Sequence, residues 1–164
     1  MPQVNFYWLF ITAAFPLVIG YLYYKPSVFG EALRSATDET IKKRSPIMKY
    51  GLTYLFGLFM SYIIFLFAVH QSSVYQLFLH ESDLLQSGTE LNTYVTEFMD
   101  RFGARHRTFG HGVIHGVEIT LLMGLGMLGV STLYEGRPMK YLWIHLFYWL
   151  ICGALMGGAL CAWM

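Results

Sequence analysis

Residues 110–163 read GHGVIHGVEITLLMGLGMLGVSTLYEGRPMKYLWIHLFYWLICGALMGGALCAW, and their reading decides the fold. Two apolar runs, Gly110 to Tyr134 and Tyr141 to Trp163, flank a polar turn, Glu135-Gly-Arg-Pro-Met-Lys140, whose glycine and proline are turn formers. The hydrocarbon core of a bilayer is about 30 Å thick and a helix rises about 1.5 Å per residue, so a crossing needs about 20 apolar residues. Both runs meet that length. They predict two antiparallel transmembrane helices packed as neighbours.

Working towards the N-terminus, a third apolar run covers about Tyr50 to His70, with no charged residue after Lys49. A fourth covers about Phe6 to Tyr24. It is framed by Phe6, Tyr7 and Trp8 at one end and Tyr21, Tyr23 and Tyr24 at the other, rings that favour the membrane interface. Pro16 near its middle predicts a kink. The chain therefore reads as one all-α membrane domain over residues 1–164, a polytopic protein with four transmembrane helices (about 6–24, 50–70, 110–134 and 141–163) and a long loop at 71–109. Composition agrees: 55% of residues are hydrophobic and 13% charged, too apolar for an ordinary soluble domain. A net charge of +1, with no basic stripe, excludes nucleic acid as an expected partner. The start, MPQVNFYW, lacks a basic n-region, so the first helix is expected to remain in the mature protein.

Orientation follows from the lysines and arginines of each short loop. Lys25, Arg34, Lys42, Lys43, Arg44 and Lys49, with Arg137 and Lys140 of the hairpin, make eight on one side, against Arg101, Arg105 and Arg107 on the other. Both termini and the long loop are expected outside a bacterial inner membrane. Within that loop, Leu91, Tyr94, Val95, Phe98, Met99 and Phe102 recur at spacings of three and four, the stripe of an amphipathic helix. Ser87 and Glu90 have capping-box spacing at its start. The helix is expected to cover the outer rim of the bundle. Cys152 and Cys161 stand roughly 13 Å apart in height on one helix, beyond disulfide reach, and read as small packing residues.

Two motifs carry a family likeness. Gly20-Tyr-Leu-Tyr-Tyr-Lys-Pro-Ser-Val-Phe-Gly30, and Tyr134-Glu-Gly-Arg-Pro138 followed by the glycine-rich end Gly157-Gly-Ala-Leu-Cys-Ala-Trp163, resemble the small bacterial membrane proteins catalogued as domain-of-unknown-function family seventeen-sixty-one. The resemblance implies a four-helix membrane protein and assigns no activity.

His111, His115 and Glu118 carry the chemistry of interest. Spacings of four and three place them on one helical face, with Glu118 roughly 12 Å inside the span, where a charge costs about 2.5–3.5 kcal/mol. Glu118 is therefore expected to face the bundle interior, to be protonated, or to be paired. Imidazole and carboxylate suit a transition metal, so His111, His115 and Glu118, completed by His70 and His106 at the same height, are candidate ligands of a metal or a haem. The preferred expectation is no cofactor, with the same groups forming a hydrogen-bond network. A third reading makes Glu118, His115 and Tyr54 a proton or solute pathway. The pattern is not HExxH, since Glu118 follows the second histidine. His145 stands alone in the last span and reads as a hydrogen-bonded core residue.

Gly124, Gly126 and Gly129 match a dinucleotide fingerprint in letters only, because no strand precedes them. Gly57 with Ser61, Gly112 with Gly116, and Gly153 with Gly157 show the spacing that lets membrane helices approach closely. Tyr50, Tyr54, Gly57, Ser61 and Ala68 share one face of the second span, whose tyrosine hydroxyls are candidates to line the bundle interior and are expected to hydrogen-bond between helices. Met123, Met127 and Met156 are expected to fill gaps in the core. The resulting functional expectation is a non-catalytic protein that forms an oligomer or serves as an accessory subunit of a membrane complex. Transport through Glu118 and metal or haem binding are the alternatives.

Overall fold

The computed structural model describes residues 4–37 and 45–164. Lys42, Lys43 and Arg44, counted above for orientation, lie outside the described residues. Helices account for all the regular structure among the described residues: α1 (Tyr7–Ala13), α2 (Phe15–Tyr23), α3 (Glu31–Arg34), α4 (Pro46–Ala68), α5 (Gln71–Leu77), α6 (Glu90–Phe102), α7 (Phe109–Tyr134) and α8 (Met139–Trp163), with a π-helical turn at Pro26–Gly30 and a 3-10 turn at Ser82–Leu84. Among the described residues, α4, α7 and α8 are each long and apolar enough to cross a membrane.

The first expected span differs. It is two helices of seven and nine residues on either side of Ala14. Proline lacks the N–H that would bond the carbonyl four residues back, and its ring crowds that carbonyl, so the helix opens ahead of Pro16 rather than at it. Tyr7–Tyr23 rises about 25 Å, short of a bilayer core. The chain then bends by 67° into Pro26–Arg34, and only this bent pair taken together passes as a fourth crossing.

The other boundaries follow local capping. Ser45 caps α4 by accepting from Met48 N, and Pro46 at the first helical position needs no N–H partner. Thr89, not Ser87, caps α6, its side chain accepting from Asn92 N. At the end of α7, Gly136 takes φ +63°, a left-handed conformation open to glycine, while Gly136 N and Arg137 N donate to Leu133 O and Thr132 O. That cap reverses the chain into α8.

Helix α8 is the centre of the molecule. It packs against α7 along its length and against α1, α2 and α4 on other sides, burying Leu146, Cys152, Met156, Leu160 and Cys161. Helices α7 and α8 meet through glycine. A Cβ on Gly112 would fall on the Gly157 carbonyl, and one on Gly116 would fall on the Gly153 carbonyl. Helix α4 meets α1 in the same way, since a Cβ on Gly57 would strike the Ala13 carbonyl. Four residues further along, Ser61 Oγ donates to Leu9 O at 3.0 Å and shares a 2.7 Å hydrogen bond with Thr12 Oγ1. Tyr23 Oη donates to Ile144 O at 2.8 Å, and Tyr148 Oη to Pro16 O at 2.7 Å, tying α2 to α8. His145 is held by Tyr24 Oη at 2.8 Å.

Some expectations about facing are corrected. Met156 is buried, but Met123 and Met127 are exposed on α7, and Tyr50 is exposed on α4. The apolar stripe of α6 has its own small core, in which Val95 and Met99 close on Leu84 with Val74, Tyr75 and Phe78 around them. The helix therefore packs on its own loop. Cys152 and Cys161 are free and buried, and Cys161 Sγ donates to His106 O at 3.1 Å.

Candidate metal centre

The first turn of α7 is fixed by Thr108, whose hydroxyl accepts from His111 N. Each of the two histidines that follow stands immediately before a glycine of the α8 seam, His111 before Gly112 and His115 before Gly116. At 100° per residue, a side chain one position from a seam glycine emerges at the edge of the helix contact, not inside it. The third imidazole comes from the far end of α4. The helix ends at Ala68, Val69 leaves helical geometry, and His70 stands at the N-cap of α5.

Three Nε2 atoms converge there. His70 Nε2 lies 3.0 Å from His111 Nε2, and His111 Nε2 lies 3.1 Å from His115 Nε2. One ligand atom from each of the three falls within 4.8 Å of the others. The far side of the His115 ring, Nδ1, faces Glu118 Oε2 at 3.3 Å. A neutral imidazole has one N–H and one lone pair. If His115 gives its Nδ1–H to Glu118, its Nε2 is a lone pair, and His111 Nε2 faces two neighbours with one hydrogen at most to share. Protons alone satisfy one of the two contacts well. A cation at the common point satisfies all three lone pairs at once.

The spacing suits that arrangement. Zn–N bonds of about 2.0–2.1 Å around a tetrahedron set nitrogens about 3.3 Å apart, so the two short separations need to open by a few tenths of an ångström. His70 stands outside the candidate spans, and its pKa lies below the ordinary imidazole value. Burial is the main cause, followed by the charges of His115 and His106. Both effects favour the neutral form that a metal requires.

The other expected residues are placed as follows. Glu118 is beside the cluster as a partner of His115, not among the converging atoms, and its side chain is 56% exposed. It does not face the bundle interior. The reason lies two residues away: Gly116 faces α8, and a further 200° of helix carries Glu118 to nearly the opposite side. His106 stacks on His111 with ring centroids 4.9 Å apart, and it adopts φ +62° to do so. Tyr54 is not near the cluster. It stands sixteen residues before His70 in sequence, about 24 Å along α4, and its hydroxyl donates to Phe10 O.

A family model described as a protein of unknown function (DUF1761) matches residues 8–161. The chain belongs to that family. No curated protein and no solved structure matches it. The matched range of the DUF1761 domain contains all three histidines, Glu118 and every glycine of the α7–α8 seam.

Beside the histidines the DUF1761 domain has a cleft of about 400 Å³, lined by His70, Gln71, Phe98, Phe102, Arg105 and His106. Gln71 was not singled out by sequence. Its amide donates to Gly103 O at 2.7 Å and Arg105 O at 3.1 Å, anchoring the end of α6 to the start of α5, and its Oε1 is buried without a hydrogen-bond partner. The one available signal was its position next to His70.

Proposed function

We propose that this DUF1761 protein is an integral membrane protein that binds a transition metal ion, with His70, His111 and His115 as its ligands. The observation that carries this reading is the convergence of three Nε2 atoms, one of whose rings has its other nitrogen on Glu118. A carboxylate on the far nitrogen of a ligating histidine fixes the tautomer and raises the basicity of the ligand. Glu118 would thus act behind His115, and the cleft of Gln71 and Arg105 adjoins the cluster at His70. Three neutral imidazoles suit Zn(II), Cu(II) or Ni(II) better than Mg(II) or Ca(II), which prefer oxygen. On the loop charges, the centre faces the outside of the membrane.

The test is cobalt titration of the full chain purified in detergent. The expected result is a saturable visible band at one equivalent, displaced by zinc and abolished in His111→Ala. Metal content that stays the same in His70→Ala and His111→Ala would overturn the proposal.

A specific observation also keeps assembly in view. Glu118 is more than half exposed on a helix that reads as a span, at a depth where lipid disfavours a charge. A second copy, or a subunit of a larger complex, covering this face of α7 would remove it from lipid. Crosslinking from Ile114 and Leu122, exposed on the same helix, tests this. A product at twice the monomer mass is expected, and a monomer alone would count against the covering copy.

A further inference from the structure

At the opposite end of the molecule, α2, α4 and α8 enclose a second cleft of about 290 Å³. Its lining includes Lys25, Lys49, Tyr21 and Tyr50, all exposed, together with Pro16, which is buried, and Leu17, which is half-buried. Lys25 Nζ lies 4.9 Å over the Tyr21 ring and Lys49 Nζ lies 5.5 Å over the Tyr50 ring. Among the described residues neither ammonium has a carboxylate partner. Two cations held against aromatic faces, with no carboxylate partner among the described residues, line one cavity.

The cavity also changes character with depth. From Lys25 to Leu17 is eight residues in sequence, about 12 Å of helix. Over that distance the lining passes from ammonium and phenol to proline and leucine. The polar group at its base, the Pro16 carbonyl, already accepts the Tyr148 hydroxyl, so the floor presents no unmet polar demand. A ligand matching this gradient has an anionic head and an apolar body. Rings such as Tyr21 and Tyr50 favour the headgroup level of a membrane, and juxtamembrane lysines on the cytoplasmic side attract anionic lipid.

We infer that this cleft is a binding site for the phosphate head of an anionic phospholipid, held between Lys25 and Lys49 with an acyl chain running towards Leu17. The site is independent of the histidine cluster, and neither result decides the other.

The experiment uses the full chain in phosphatidylcholine nanodiscs containing a minority of phosphatidylglycerol, with the lipid retained by the protein measured by native mass spectrometry. The wild type is expected to retain phosphatidylglycerol over phosphatidylcholine. The double variant K25Q/K49Q is expected to lose that preference by about thirtyfold, given about 1 kcal/mol for each interfacial lysine. K25R/K49R keeps it, which shows that the folded cleft is intact. K140Q at the same end, where Lys140 donates to Ser35 Oγ, also keeps it. Retention unaffected by millimolar inorganic phosphate assigns the site to lipid. Displacement by phosphate would keep the anion site but overturn the lipid as its occupant. Equal retention of the two lipids by the wild type, or an equal loss in K140Q, would overturn the site altogether.

Discussion

Helices α7 and α8 are adjacent in sequence, packed along their full length, and nearly identical in mean hydropathy, 1.8 against 1.7. Yet 61% of the α8 window is buried inside the molecule and only 17% of the α7 window. Hydropathy measures what a helix can be immersed in, whereas burial depends on how many neighbours surround it. Helix α8 is enclosed by α1, α2, α4 and α7. Helix α7 has one close neighbour along a glycine seam, a lighter contact with α4, and much of its remaining surface turned outward. The peripheral helix supplies two of the three candidate ligands. The pairing thus divides the molecule, with α8 at the centre of the fold and α7 carrying most of the candidate site.

The largest test of that division is on the seam. Gly116→Leu places a side chain where the Gly153 carbonyl already stands, so the two helices must separate. Overpacking of this kind costs about 1–3 kcal/mol in soluble cores, and more where backbone is displaced. Loss of the cooperative thermal transition in detergent is expected. A transition temperature equal to the wild type would refute the seam.

Glu118→Gln is the next largest. It leaves the α7–α8 contact untouched and removes the charge behind His115. Metal affinity is expected to fall about 10–100-fold at an unchanged transition temperature. A fall in both would place Glu118 with the fold, not with the site.

A smaller effect is expected from pH. Ligation needs neutral imidazole, so affinity declines as pH falls. Because the pKa of His70 lies below the ordinary value of about 6.5, its share of the loss comes below pH 6.5. The sign for the metal-free protein is the same. Between the depressed folded value and about 6.5 the unfolded chain binds more protons at this residue, so stability falls as pH falls through that window. Cobalt titrations and thermal scans across pH 5–8 measure both. Affinity unchanged from pH 8 down to pH 5 would exclude His70 as a ligand.

The smallest effect is predicted at Gly126, on the open side of α7. Nothing lies within 4 Å of a Cβ placed there, so Gly126→Ala leaves metal binding unchanged and stabilises the helix by about 0.5–1 kcal/mol. Destabilisation at this position would show that this face of α7 is covered.

The three long helices were legible in the sequence because each is an unbroken apolar run, and the close glycine approaches because their spacing is local. The break at Ala14 was legible only as a proline effect, since composition does not tell whether nine further residues continue straight or turn at Lys25. The direction of Glu118 was present in the sequence as two separate facts: Gly112 and Gly116 face a neighbour, and Glu118 is two residues beyond Gly116. Taken together they turn the carboxylate outward. The proximity of His70 to His111 was foreseen only as a common height. Their 3.0 Å approach depends on how α4 ends and α5 begins, which is tertiary information. The partner of Tyr54, the Phe10 carbonyl, was equally out of reach, because it depends on how α1 packs on α4.

The Gly136 turn sets the timing of assembly as well as its shape. Closing the α7–α8 hairpin brings together segments separated by a few residues, whereas His70 must reach His111 across 41 positions of chain. Loop-closure entropy and the rule that local contacts form early give an order in which the hairpin is the nucleus and the third imidazole arrives last. Metal capture would then report completion, coming after the helical signal in a refolding time course rather than with it.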